Sequence, residues 1–149
     1  MATAGAESLG AVLRVSARAD YAIRMMVAMA IRPDEVLARE YLAQSEGLPV
    51  KFVDHVLRQL RNRGLIESRR GRHGGYRLAR TAEQISLADV VHAMAEPQPV
   101  NGRELAGATG WLAETWSGVS RAVDAALADI SVASLRDARR AEAAAAQGA

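Results

Sequence analysis

The segment from Lys51 to Arg80 constrains the fold of this chain more than any other. It begins with a pattern in which apolar residues recur at helical spacing, and it continues into a stretch rich in arginine and glycine. It contains nine basic and two acidic residues, a net charge of +7, whereas the whole 149-residue chain carries only +2. The positive charge is therefore concentrated in one part of the molecule, which is typical of a surface that contacts a polyanion.

The pattern around this segment predicts two helices joined by a short turn and followed by a hairpin. Helices are predicted at 17–31, at 39–45 and from Pro49 to about Gly64, with a glycine turn at 46–48. Strands are predicted at 65–68 and 76–79, so that the hairpin has an arginine tip, and a short strand is predicted at 13–15. Ser16 is expected to cap the first helix.

The third helix is expected to have one core face and one polar face. Its inward residues follow the i, i+3, i+4, i+7 rule and are Val53, Val56, Leu57 and Leu60. Its outward residues are Lys51, His55, Arg58 and Asn62. A polar, basic outer face on the second helix of such a pair, followed by a basic hairpin, indicates a winged helix-turn-helix that places this helix in the major groove of DNA.

The second half of the chain predicts a short helix and then a long one. Ser86 is expected to cap a helix whose inward residues are Leu87, Val90, Val91 and Met94. The long helix, at about 111–129, carries a near-heptad apolar seam that is suited to a partner helix. The seam consists of Leu112, Trp116, Val119, Val123, Ala126 and Ile130. A shorter last helix is expected to start at Ser131.

Five regions follow from these patterns. They are a disordered arm at 1–12, a winged helix-turn-helix domain at 13–96, a loop that could sense a signal at 97–110, a dimerisation helix with a following helix at 111–137, and a flexible tail at 138–149. The fold class is mainly α, with a two-stranded wing and a long C-terminal dimerisation helix. Alanine and leucine are abundant and only six residues are aromatic, which favours helix over sheet.

Composition also argues against several functions. The chain has no cysteine, which excludes disulfides, thiolate nucleophiles and cysteine-ligated metal centres. The three histidines fall in different elements without metal-ligand spacing, so we expect no metal and no cofactor. No nucleophile, acid–base pair or phosphate loop is apparent, and we expect no enzyme. Without a long apolar run or a signal peptide, a cytoplasmic protein that does not contact membranes is expected.

Residues 49–80, PVKFVDHVLRQLRNRGLIESRRGRHGGYRLAR, resemble the recognition helix and wing of the IscR/NsrR/CymR family of bacterial winged-helix transcription regulators, whose wing reads R-G-x-x-G-G-Y-x-L. Segments 16–22, 85–90 and 130–135 resemble other parts of that family, so the likeness covers about 13–137. Family members are homodimers that cross their long helices and bind imperfect palindromes in double-stranded DNA. The resemblance therefore implies the same partners for this chain, and the seam described above agrees with it.

The resemblance also implies which residues contact DNA. Base reading would come from the front of the third helix, at Lys51, Phe52, Asp54 and His55. Arg70 would enter the minor groove, and the remaining contacts to the backbone and within the wing would be Arg58, Arg69, Arg72, His73, Gly74, Gly75, Tyr76 and Arg77. The two adjacent glycines would let the wing backbone turn tightly and approach DNA. For Phe52, partial packing in the core is an equally good interpretation, and Arg61 and Arg63 are expected to be solvated or structural.

One departure from the family concerns its sensor. Many members carry three cysteines in the loop before the dimer helix, where they hold an iron–sulfur cluster, and this chain has none. We therefore interpret the chain as a clusterless homodimeric transcriptional regulator, a repressor, controlled by a small-molecule effector or a regulatory protein. The alternative is a winged-helix adaptor that binds protein and has no operator of its own.

Overall fold

The computed structural model describes residues 16–95 and 110–148 and is mainly helical. In these residues the helices are α1 (Ala17–Ile31), α2 (Arg39–Glu46), α3 (Val50–Asn62), α4 (Leu87–Met94), α5 (Gly110–Ala128) and α6 (Val132–Gly148). Two antiparallel strands, β1 (Ile66–Arg69) and β2 (Gly75–Leu78), form the hairpin. The predicted arm and the strand at 13–15 lie outside the described residues. So does the predicted loop at 97–110, except for Gly110, which begins α5, so the boundaries drawn there stay predictions.

Local capping explains where the helices begin. The Ser16 hydroxyl accepts a hydrogen bond from the amide of Ala19 at 3.2 Å, so the predicted cap of α1 is confirmed. Ser86 and Asp89 form a capping box at the start of α4, with reciprocal hydrogen bonds of 3.1 and 2.9 Å. Pro49 occupies the cap position of α3 rather than its first turn, where its missing N–H also costs nothing.

The hydrophobic core surrounds α1. Met25, Met26 and Met29 are almost fully buried, as expected of core residues. Val90 and Met94 of α4 are buried as predicted, whereas Leu87 and Val91 are only half-buried. Two alanines of α4 occupy buried positions instead, because small side chains let this short helix approach its neighbours closely.

The hairpin is shifted by one residue toward its tip relative to the prediction. The register pairs Ile66 with Leu78 and Arg69 with Gly75. Leu65 lies outside the strand because its amide donates to the carbonyl of Leu60 at 3.0 Å and so completes the end of α3. The carbonyl of Leu65 still accepts a hydrogen bond from the amide of Ala79 at 3.0 Å, so Leu65 joins the end of α3 to the start of the hairpin.

A short backbone contact fixes the hairpin to the rest of the domain. Leu37 and Tyr76 exchange two backbone hydrogen bonds of 2.8 Å, which adds a single bridge beside β2. A Cβ atom at Gly75 would lie 2.3 Å from the carbonyl oxygen of Leu37, closer than any real contact. Glycine at this position thus allows the wing to pack against the segment before α2.

α6 extends beyond the expected end at residue 137 and continues to Gly148. Alanine has the highest helix propensity of all residues, and this segment is rich in it. Two arginines beyond residue 137 also attach α6 to the body of the domain. Arg139 pairs with Glu46 at 2.9 Å, and Arg140 donates to the carbonyl of Ile31 at 3.0 Å. The prediction of a last helix that starts at Ser131 and is shorter than the preceding one is confirmed, since α6 has 17 residues and α5 has 19.

We expect Gly75→Ala to destabilise the domain by about 1–3 kcal/mol, because the new methyl group would push the wing away from Leu37. The matched control is Gly118→Ala, within α5, where a Cβ meets no atom within 4 Å and alanine should be neutral or stabilising by up to about 1 kcal/mol. Denaturant unfolding measures both. An unchanged midpoint for Gly75→Ala would contradict the role given to this glycine.

We expect Arg139→Ala to lower the free energy of unfolding by about 1–3 kcal/mol, because the Glu46 side chain is only 6% exposed and would lose its charged partner. Arg24→Ala is the control, since Arg24 forms an exposed pair with Asp20 and should change stability by no more than about 0.5 kcal/mol. Equal effects in thermal unfolding would show that α6 is not fastened by this pair.

Candidate nucleic-acid interface

α3 is held by its apolar face and presents its polar face to solvent. The four residues predicted to face inward, Val53, Val56, Leu57 and Leu60, are all at most 1% exposed, so this prediction is confirmed. Lys51, His55, Arg58 and Asn62 are exposed on the opposite side. Because the core fixes the rotation of α3 about its axis, it also fixes which side chains project outward.

The front of α3 exposes two apolar side chains. Val50 is 45% exposed and Phe52 is 51% exposed. The Phe52 ring packs edge-on against Tyr21 of α1, with the ring centroids 6.1 Å apart. Phe52 is therefore supported by the domain on one side and open to solvent on the other, which combines the two interpretations of this residue. Val50 and Tyr21 were not among the residues predicted for this site. The one signal in the sequence was a valine in the first turn of α3, next to Lys51.

Asp54 is paired with a residue that the sequence analysis also missed. Nη1 of Arg39, the first residue of α2, lies 3.1 and 3.3 Å from the two carboxylate oxygens of Asp54. The Arg39 guanidinium also donates to Glu40, through Nε at 3.1 Å and Nη2 at 2.8 Å. The two paired residues are 15 positions apart, so only the tertiary arrangement of α2 and α3 brings them together.

These contacts change the titration of Arg39 and Glu40. The pKa of Arg39 is raised, first by its hydrogen bond to Glu40 and then by Asp54, so the guanidinium remains charged. The pKa of the Glu40 carboxyl is lowered by hydrogen bonding to its own backbone amide and then to Arg39. At neutral pH Arg39 is therefore a cation and Glu40 an anion.

The tip of the wing presents basic side chains to solvent. Arg69, Arg70, Arg72 and His73 are exposed, and Gly71 between them has a φ of 121°, which only glycine adopts easily. Arg77 lies nearer the base of the wing, where it is half-buried and forms an ion pair with Glu67, its partner across the strands. Arg77 thus differs from the tip residues because its charge is already balanced within the protein.

Gly74 and Gly75 both lie against the protein's own backbone. A Cβ at Gly74 would meet the carbonyl oxygen of Arg69 at 2.3 Å, and one at Gly75 would meet that of Leu37 at the same distance. Neither glycine has a positive φ. Gly74 lets the wing backbone pack on itself, and Gly75 lets the wing pack on the domain. We had expected these glycines to allow the backbone to approach DNA, so the structure gives a different reason for them. Tyr76 is likewise half-buried and packed against the core.

A groove of about 370 Å³ separates the wing from the start of α2. Four arginines line it, namely Arg39, Arg61, Arg69 and Arg70, together with the acidic Glu40. Arg61, which we expected to be solvated or structural, thus contributes to the same groove as two wing residues. The groove lies between the wing and the helices α2 and α3, and its charge is mainly positive.

The long helix α5 leaves its apolar seam uncovered in the single chain. Trp116 is 54% exposed and Val119 is 47% exposed, Ala126 and Ile130 are exposed, and Leu112 and Val123 are half-buried. The start of α4 contacts the segment after α5, where the amide of Leu87 donates to the carbonyl of Ile130 at 2.7 Å. His92 of α4 and Asp124 of α5 lie 3.0 Å apart. The seam is thus displayed by a helix that is attached to the domain.

Neither a metal cluster nor a membrane segment is found where the structure is described. Residues 16–95 and 110–148 contain no group of three or more histidine, cysteine, aspartate or glutamate side chains that could hold a metal ion. No helix in these ranges is both long and apolar enough to cross a bilayer.

Known proteins resemble this chain over most of its length. The family model described as Rrf2, iron-dependent transcriptional regulator, matches residues 15–138. A protein of Mycobacterium tuberculosis named as an HTH-type transcriptional regulator is 42% identical over 86 residues, which are 57% of this chain and 53% of the relative. This chain thus spans about half the length of that relative.

Two solved structures have the same fold. IscR of T. potens superimposes with a TM-score of 0.71 at 25% identity, over 87% of this chain and 90% of IscR. CymR, the global cysteine regulator of B. subtilis, superimposes with a TM-score of 0.65 at 23% identity, over 84% of this chain and 97% of CymR. The predicted winged helix-turn-helix is therefore confirmed, and the family consists of transcriptional regulators rather than enzymes. Since the family model spans most of the chain, this protein belongs to the Rrf2 family of helix-turn-helix transcriptional regulators.

Proposed function

We propose that the protein is a homodimeric, sequence-specific repressor that binds an imperfect palindrome through α3 and the wing. One observation carries the proposal: Arg61 of α3, Arg39 of α2 and the wing arginines Arg69 and Arg70 line one positively charged groove. The basic outward face of α3 is exposed on the same domain, which is held by a single core. Positive charge on both elements neutralises phosphates, and a rigid reading helix gives each half-site a defined position.

Base reading is assigned to the front of α3. Lys51 donates to guanine, Asp54 accepts from the amino group of cytosine, and His55 contacts a base edge beside them. Phe52, to which we add Val50, contacts thymine methyl groups, because both apolar side chains are exposed. The packing of Phe52 against Tyr21 reduces the conformational freedom that Phe52 would otherwise lose on binding.

Contacts to the DNA backbone are assigned mainly to the exposed arginines. Arg58, Arg69 and Arg72, together with His73, contact phosphates, and Arg70 enters the minor groove. Arg77 is a weaker candidate for phosphate contact than the tip residues because Glu67 already balances its charge. Gly74, Gly75 and Tyr76 support the interface by keeping the wing in place against Leu37.

The seam on α5 supports the assignment of a homodimer. An exposed stripe that includes Trp116, Val119 and Ile130 would be costly to leave in water, and a second copy of α5 offers a matching stripe. A pair of domains joined in this way would present two reading helices, as a palindrome requires.

The signal is assigned to a small ligand or a regulatory protein that acts through the loop before α5. The family is described as iron-dependent, yet this chain has no cysteine, and carboxylates and histidines are poor substitutes for thiolates in iron–sulfur clusters. The residues present therefore do not fit such a cluster. A ligand that favours one arrangement of the two domains would change operator affinity by changing the spacing of the reading helices.

Selection from a random duplex library, followed by titration of the selected site at several salt concentrations, tests the DNA-binding proposal. A sequence-specific reader should enrich a palindromic site and lose affinity linearly on a log–log plot of affinity against salt. A protein-binding adaptor should enrich no sequence and should lack DNA affinity at moderate salt, and that outcome would overturn the proposal.

We expect Arg70→Ala to weaken binding to the selected site about tenfold, or ~1.4 kcal/mol, because a cation is removed from the exposed tip of the wing. The slope of log affinity against log salt should fall by about one. Arg32→Ala is the control, since it removes the same charge from a residue paired with Glu35 at 3.1 Å. If both variants bind equally, the wing does not contact DNA.

We expect Val119→Glu to convert the dimer to a monomer, because a carboxylate in the seam would have to be buried without a partner. Ser117→Glu adds the same charge to an exposed residue of α5 outside the seam and should leave the dimer intact. Sedimentation equilibrium reports the mass of each variant of this 15.9 kDa chain. A Val119→Glu protein that remains dimeric would place the interface elsewhere.

A further inference from the structure

The carboxylate assigned to base reading is not free. Asp54 accepts two hydrogen bonds from one nitrogen of Arg39, at 3.1 and 3.3 Å, and Arg39 reaches it from the first turn of the neighbouring helix α2. The two side chains are 43% and 39% exposed, so the pair lies at the surface rather than in the core. An approaching DNA duplex can therefore reach both members of the pair.

Arg39 offsets the unfavourable interaction between the negative charge of Asp54 and DNA. A carboxylate near DNA is repelled by the phosphates, and Glu40 places a second carboxylate beside it. Arg39 contacts both carboxylates, so it offsets part of this negative charge at the place where the duplex must approach. An ionised carboxylate offers about four acceptor positions, so Asp54 keeps capacity for a base amino group while it is bound to Arg39.

Arg39 also limits the orientation of the Asp54 side chain. A short exposed side chain on a helix can occupy several rotamers, whereas a donor bound to both oxygens favours one of them. Arg39 is in turn held by Glu40 at 2.8 Å and lines the groove toward the wing. Glu40 and Asp54 thus hold the Arg39 side chain in position before DNA binds. This reduces the conformational entropy that the Arg39 and Asp54 side chains would lose on binding DNA.

We propose that Arg39 is a specificity-determining positioning residue, which holds the Asp54 carboxylate in place and balances its charge so that it can accept from a base amino group in the major groove. The inference rests on the proposed function, because it concerns a residue assigned there to base reading. In this arrangement Arg39 influences sequence preference through Asp54, whereas a direct phosphate contact would strengthen binding to all sequences alike.

A double-mutant comparison tests the proposal. Affinities of the wild type, Arg39→Ala, Asp54→Ala and the double variant are measured by fluorescence anisotropy at one salt concentration. The probes are the duplex selected by the wild type and duplexes that change each base pair of one half-site in turn. Asp54→Ala should reduce discrimination about fivefold to tenfold at one base pair, which is the scale of one base-edge hydrogen bond.

Arg39→Ala should reduce discrimination at that same base pair, and it should have no further effect on discrimination when Asp54 is already alanine. Arg39→Lys keeps the charge but lacks the planar guanidinium, so it should retain general affinity and recover discrimination only in part. Arg32→Ala, a matched loss of one cation, should leave discrimination unchanged. Thermal unfolding of each variant identifies any loss that is due to misfolding.

Two results would overturn the inference. One is an Arg39→Ala protein whose affinity falls by the same factor for every duplex, with or without Asp54, because that pattern is a phosphate contact. The other is an Asp54→Ala protein with unchanged discrimination. A wild type that selects no sequence would overturn the proposed function and this inference together, whereas either of the first two results leaves the DNA-binding proposal standing.

Discussion

Burial of the apolar face of α3 is the constraint on which the rest of the interface depends. Val53, Val56, Leu57 and Leu60 are almost completely removed from water, and rotating α3 by even one residue would expose some of them while burying polar groups. The outward direction of Lys51 and Arg58 is therefore a consequence of core packing. The core thus sets the direction of this outward face, and the contacts of Phe52 with Tyr21 and of Asp54 with Arg39 act in addition to it.

The wing depends on a smaller but equally specific constraint. Two backbone hydrogen bonds between Leu37 and Tyr76, and the absence of a side chain at Gly75, place β2 against the segment that leads into α2. The arginines at the wing tip and Arg39 at the start of α2 consequently lie on opposite sides of one groove. Helix and wing thus form one surface, and a change that loosened the wing would alter both sides of the groove.

The sequence predicted those features that depend on local or periodic patterns. Helix positions, the serine caps and the buried face of α3 all follow from spacing and side-chain chemistry within a few residues. The Arg39–Asp54 pair and the attachment of α6 to the domain could not be predicted in this way. Both depend on contacts between segments that are distant in sequence, such as Arg139 with Glu46. The alanine-rich tail has no periodic apolar pattern from which such a contact could be predicted. The packing of Gly75 against Leu37 could not be predicted either, because Leu37 lies 38 residues earlier in the sequence.

The same contacts limit how a signal could reach the reading helix. α5 is connected to the domain through α4, where Leu87 bonds to Ile130 and His92 meets Asp124, and α6 returns to α1 and to the end of α2. The core between α1, α3 and α4 is closely packed, so it transmits a displacement more readily than it absorbs one. The His92–Asp124 pair, which joins α4 to α5, is exposed to solvent, whereas the core that joins α4 to α1 and α3 is buried. In the proposed dimer, rearrangement at the seam would therefore move each domain as a rigid body and change the distance between the two α3 helices, while the outward face of each α3 stays the same.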